Sequence, residues 1–190
     1  MFKHILATAL LALGLSGPVD AASVRELQLD EIIDTSTVAF QGTCTGNRTE
    51  RDPLTNFVVT YTTFEVKDVL KGAVLATHTI KQIGGKMPAG ELSFHVDGVP
   101  TFVVGEDYVV FLAGVSSAGF SSPIGLAQGN FMVQKNATGK TVTNGRDFRE
   151  LTARMPLTIL PGEEAMAASI DLDKFKQVAR ARVNLKRAQQ

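Results

Sequence analysis

The chain has 190 residues and carries 19 basic against 19 acidic side chains. That balance excludes the strong basic field of a nucleic-acid binder. A single cysteine, Cys44, excludes an intrachain disulfide, so the fold must hold by packing.

In chain order, the first element is an export signal. Met1-Phe2-Lys3-His4 gives a short basic start, Ile5 to Leu15 an apolar run too short to span a bilayer, and Val19 and Ala21 the small residues at −3 and −1. This predicts a secretory signal peptide over 1–21 and cleavage before Ala22, since cleavage one residue later would place Asp20 at −3. Removing 21 residues from 190 leaves a single exported domain of 169, residues 22–190. No cysteine stands at the cleavage site to carry a lipid, and no later apolar run has bilayer length. The expected product is soluble, periplasmic or secreted, without a transmembrane anchor.

Val24 to Asp34 places Leu27, Ile32 and Ile33 among charges in helical spacing and predicts one short helix. Ser36 to Thr45 alternates with Val38, Phe40, Gly42 and Cys44 on one face, which reads as a strand. The polar stretch Gly46 to Pro53 is expected to be a connection. Phe57 to Leu70 and Thr77 to Ile83 are β-rich, and a fourth strand combines Phe102–Val104 with Tyr108–Leu112 around Gly105. Gly129 to Lys135 and Lys140 to Thr143 predict a hairpin. Successive strands without intervening helices indicate an antiparallel sheet or a small barrel.

The C-terminal segment, about 169–190, changes character. From Asp171 to Arg187, Leu172, Phe175, Ala179 and Val183 mark one helical face with Asp171 as N-cap. The outer side carries Lys174, Lys176, Arg180, Arg182, Lys186 and Arg187, expected to complement the helix dipole and to be solvated.

Catalytic motifs fail at named positions. Gly139-Lys140-Thr141 resembles the end of a phosphate loop, but Gln134 stands where that loop needs glycine. No serine lies in a Gly-x-Ser-x-Gly frame. His78 and His95 fall on predicted strands without a zinc-binding frame and are expected to be hydrogen-bonded strand residues. Glu106-Asp107 reads as a turn leading into the Tyr108 strand, and Glu163-Glu164 as the first turn of a short helix. Cys44 shares a face with Phe40, which predicts a buried, inert thiol. Asn47-Arg48-Thr49 and Asn136-Ala137-Thr138 are glycosylation sequons where a host has that machinery.

The order Leu29-Asp30-Glu31-Ile32-Ile33, Val38 to Gly42, Thr63 to Gly72 with its Val-Leu-Lys-Gly ending, Ile80 to Gly85, and Gly98 to Glu106 resembles an uncharacterised family of exported bacterial proteins, over about Leu29 to Lys135. It is also similar, more distantly, to the netrin-like modules of tissue inhibitors of metalloproteinases. That resemblance implies an OB-type barrel, and with the helices read from the periodicity the expected fold is mainly β, a small antiparallel OB-like barrel with a short N-terminal helix and a C-terminal amphipathic helix. Those inhibitors bind the protease zinc through an N-terminal cysteine. Here the mature chain would begin Ala22-Ser23, so no inhibitory residue carries over.

The expected function is therefore a non-enzymatic binding or accessory module of the envelope or extracellular space, with no cofactor and no metal. A protease inhibitor or metalloprotease-associated protein is the alternative, and an envelope hydrolase a third. The expected partner is a protein of that compartment, a protease among the candidates. OB-type barrels bind through strand faces and adjoining loops. Arg48, Glu50 and Arg51, on the expected polar connection, are the candidate partner-binding residues.

Overall fold

Two 14-residue strands, β1 (Val38–Arg51) and β2 (Val58–Lys71), pair antiparallel along their whole length and organise the molecule. Around them stand β3 (Thr77–Ile83), β6 (Asp107–Leu112), β7 (Asn130–Asn136), β8 (Gly139–Thr143) and β9 (Ile170–Asp171), while β4 (Gly85–Lys86) and β5 (Ser93–Phe94) form a separate ladder. This is a computed structural model that describes residues 25–88, 93–137, 139–156, 158 and 170–189. The expected signal peptide and the Glu163-Glu164 pair lie outside the described residues.

The main sheet runs β3-β2-β1-β6-β7-β8-β9. Its end strands do not pair with each other, so the OB-like barrel expected from the sequence is not formed. The burial of β6 explains why an open sheet suffices. All six of its residues are buried. Val109 and Phe111 enter a core shared with the helices, whereas Tyr108, Val110 and Leu112 enter a second core with Phe40, Cys44, Phe64, Ile80 and Phe102. In a small barrel one strand face looks inward and the other outward. Here each face has its own cover, helices on one side and connecting segments on the other, and closure is not needed to keep the strands dry.

Three helices cover the first face: α1 (Leu29–Thr35), α2 (Phe148–Leu151) and α3 (Leu172–Arg187). α1 begins later than the periodicity suggests. Leu27 donates its backbone N–H to Gln128 Oε1 at 2.7 Å, which holds the preceding residues out of the helix. Glu31 accepts from the Gln28 backbone N–H at 2.9 Å and completes the helix start. On α3, Leu172, Phe175, Val178, Ala179 and Val183 are buried at spacings of three and four residues. Asp171 accepts from the backbone N–H groups of Asp173 and Lys174 at 2.9 and 3.1 Å, the expected N-cap. Phe175 sits at the centre, its ring 4.7 Å from Phe131, 6.2 Å from Phe111 and 6.3 Å from Phe148.

The basic side of α3 is not simply a solvated face. Arg182 grips Asp34 of α1 with two parallel bonds, Nε to Oδ1 at 2.9 Å and a terminal nitrogen to Oδ2 at 2.6 Å, and Lys186 lies 3.5 Å from the same carboxylate. Arg180, through one terminal nitrogen, and Lys176, at 3.2 Å, both meet Asp68 of β2. The cations clamp the helix at two points to the body beneath it. Helical spacing alone could not reveal this, because the carboxylates belong to distant segments.

The polar stretch Gly46 to Pro53 is likewise not a connection. β1 continues through it to Arg51, and the turn occupies only Asp52 to Phe57, where Asn56 N–H donates to Asp52 O and Asp52 N–H to Phe57 O, both at 2.8 Å. Residues 102–104, expected as strand, are irregular, and β6 starts only at Asp107. The hairpin of β7 and β8 forms as expected, while Thr138 at its tip lies outside the described residues.

Candidate functional site

β6 pairs with β1 only over Val38 to Thr43. Beyond Cys44, β1, β2 and β3 continue as a three-stranded arm with no fourth strand paired beside it among the described residues. Register shifts at Ala39/Phe40, Gln41/Gly42 and Cys44/Gly46 bend β1 where the arm departs. Residues 84–88 and 93–102, which contain β4 and β5, lie over the arm as a roof. Floor and roof enclose a pocket of about 360 Å³.

Period-two alternation and register select the floor. Asn47 lies opposite Thr62, Thr49 opposite Thr60, and Thr60 opposite Gln82. The apolar walls are Ile83, Phe94, Val96, Val99, Pro100 and Phe102. Gly85 lets the roof lie this close. A Cβ there would stand 2.2 Å from Thr60 Oγ1 and 2.6 Å from Thr49 Cγ2, and its φ of 143° is one that side chains rarely adopt.

Thr60 donates its hydroxyl to Gly84 O at 2.7 Å, so in the 3.0 Å contact between the two threonines Thr49 must be the donor. Thr62 donates to Asn47 Oδ1 at 2.8 Å, and Asn47 Nδ2 donates to Phe102 O at 2.7 Å. The floor hydroxyls therefore have their hydrogens committed. Gln82 differs: it is 2% exposed, and its Nε2 has no hydrogen-bond partner among the described residues.

The adjoining core is neutral. Burial pushes the Cys44 thiol up, against a smaller opposing pull from the Gly46 backbone, and the residue is fully buried, as expected. Burial also raises the Tyr108 phenol, whose oxygen accepts from Val103 N–H at 2.9 Å. His78 is held below its ordinary value by burial, and its ring meets Phe40 edge-on at 5.4 Å. His95 contacts Asp97 at 3.3 Å on the exposed rim. The two histidines thus stand apart, one against an aromatic core and one in solvent. Among the described residues no three His, Cys, Asp or Glu side chains group as metal ligands.

Arg48, Glu50 and Arg51 lie on the arm rather than on a loop. Arg48 and Glu50 form an ion pair on the face opposite the pocket, with the Arg48 guanidinium 4.6 Å from the Tyr61 ring. Arg51 alternates to the other side and donates to Asn56 O at 3.0 Å. The structure does not bring the three into one patch. The same outer face holds a buried pair, Lys81 Nζ to Asp52 Oδ1 at 2.7 Å, with Lys81 also donating to Ala118 O at 2.8 Å beneath Phe120. The Lys81 and Thr55 hydrogen bonds bring the Asp52 carboxyl down to about 2.

Asp107 is not a turn residue. It opens β6 almost fully buried, 2.7 Å from Lys67 Nζ, 3.6 Å from Lys140 Nζ and 2.6 Å from Thr43 Oγ1. Burial alone would raise its carboxyl, but Lys67 and Thr43 outweigh that and hold it low. The pocket residues Thr60, Thr62 and Gln82 carried no motif, and Thr49 only the third position of a glycosylation sequon. The available signals were Thr60 and Thr62 on one strand face and the Gly84-Gly85 pair after β3. The chain matches no protein-family model and no curated protein.

Proposed function

We propose that this protein is an exported, non-catalytic binding module whose working site is the pocket between the arm and its roof. The observation that carries the reading is the pocket itself, a space of about 360 Å³ with apolar walls and an internally hydrogen-bonded floor. Binding sites for small molecules are typically concave, mainly apolar and fixed by few polar groups. Committed hydroxyls and a carboxamide suit holding a guest rather than transferring protons. The Met1 to Ala21 pattern supports export to the periplasm or beyond.

Saturable binding of Nile red to the purified mature domain tests this. One site is expected in the wild type, and Val96→Trp, which fills the pocket from the roof without touching the strands, should abolish it while leaving the melting temperature within a few degrees. Equal binding by both proteins would refute the assignment of the site.

A further inference from the structure

We infer that the pocket selects an uncharged, mainly apolar ligand carrying a carbonyl oxygen, which accepts a hydrogen bond from Gln82 Nε2. This rests on the proposed use of the pocket as a binding site. The Thr49 hydroxyl hydrogen is spent on Thr60, that of Thr60 on Gly84 O, that of Thr62 on Asn47, and one of the two Asn47 amide hydrogens on Phe102 O. The floor threonines keep only acceptor lone pairs, so a polyhydroxylated guest would find few donors on the floor for its own oxygens. An anion would find no buried cation either: Lys86 is exposed, and His95 turns to Asp97 on the rim. Among the described residues Gln82 Nε2 is the floor donor atom with no acceptor at all. A buried donor without a partner is costly, and a ligand oxygen that supplies the bond removes that cost.

The Gln82 nitrogen is covered as well as unpaired, so an incoming oxygen must displace the roof slightly to reach it. The roof can give. Its ladder consists of two residue pairs, Gly85 with Phe94 and Lys86 with Ser93. Ile83, Phe94 and Phe102 would then enclose the apolar body of the guest, leaving its oxygen directed at the floor.

A matched pair of probes, acetophenone and ethylbenzene, separates this inference from the reading beneath it, because the two differ chiefly by the carbonyl. Titrations of the nitrogen-15-labelled mature domain, followed by two-dimensional NMR, report both the backbone amides around the pocket and the Gln82 side-chain amide. Acetophenone should bind about tenfold more tightly and move the Gln82 side-chain protons downfield. Ethylbenzene should shift the surrounding backbone amides while leaving those protons nearly unmoved. In Gln82→Met the preference for acetophenone should fall to within twofold. Equal affinity of the wild type for both probes, or an unmoved Gln82 side chain at saturation with acetophenone, overturns the carbonyl assignment and leaves the binding pocket standing. Absence of pocket shifts with either probe overturns both. The wild-type Gln82 signal decides the matter even if the variant fails to fold.

Discussion

The clamp between Arg182 and Asp34 should couple helix α3 to the body by about 1.5 kcal/mol. The gross attraction of two charges about 4 Å apart is about 4 kcal/mol at an effective dielectric near 20, and desolvation offsets much of it. Exposed pairs retain up to about 1 kcal/mol and charge-assisted hydrogen bonds up to about 3 kcal/mol. With side-chain exposures of 17% and 19%, this bidentate pair belongs between those limits. A double-mutant cycle of Asp34→Ala, Arg182→Ala and the double variant, measured by urea unfolding at pH 7, isolates the coupling. With m of about 2 kcal/mol per M, it corresponds to about 0.75 M in midpoint. Asp34→Ala should cost more than Arg182→Ala, because it also releases Lys186. The pH dependence has a definite sign. Burial would raise the Asp34 carboxyl, but the hydrogen bonds and charge of Arg182, aided by Lys186, depress it below the ordinary 3.8. A depressed carboxylate contributes stability above its unfolded value and loses it as pH falls through the folded one. The coupling should persist at pH 5 and fade below about pH 4. A coupling under about 0.3 kcal/mol at pH 7 would show that the Arg182–Asp34 pair does not hold the helix.

Phe175→Ala should destabilise by roughly 3 to 5 kcal/mol in urea unfolding, since the residue is fully buried among three other phenylalanines; a cost below about 1 kcal/mol would contradict that packing. His78, held low by burial, favours the folded state most above its unfolded value near 6.5, and this contribution declines as pH falls through it. His78→Phe should therefore flatten the stability profile between about pH 7 and pH 5, and an unchanged profile would exclude the assignment. Gly85→Ala should displace the roof and weaken Nile red binding at least tenfold, because its Cβ would collide with Thr60 and Thr49; unaltered binding would place the dye elsewhere.

Local physics made much of this molecule readable. β-branched runs at Val58–Lys71 and Thr77–Ile83, and the apolar stripe Leu172, Phe175, Ala179, Val183, declare strand and helix because burial of one face imposes a period of two or of about four. The hairpin of β7 and β8 is legible for the same reason, its turn residues lying next to the strands they join. Nonlocal pairing was not legible. Whether a sheet closes depends on whether its last strand reaches its first, and here β9 is two residues long and passes directly into α3, which covers a face instead. Arg182 and Asp34 are separated by 148 positions, so the basic side of α3 looked solvated until the fold placed acids under it. The candidate pocket follows the same rule. Threonines, one glutamine and two adjacent glycines are ordinary residues in a linear chain. They became a site only when β1 outran β6 and left an arm for the roof to cover, with Gln82 beneath it lacking an acceptor.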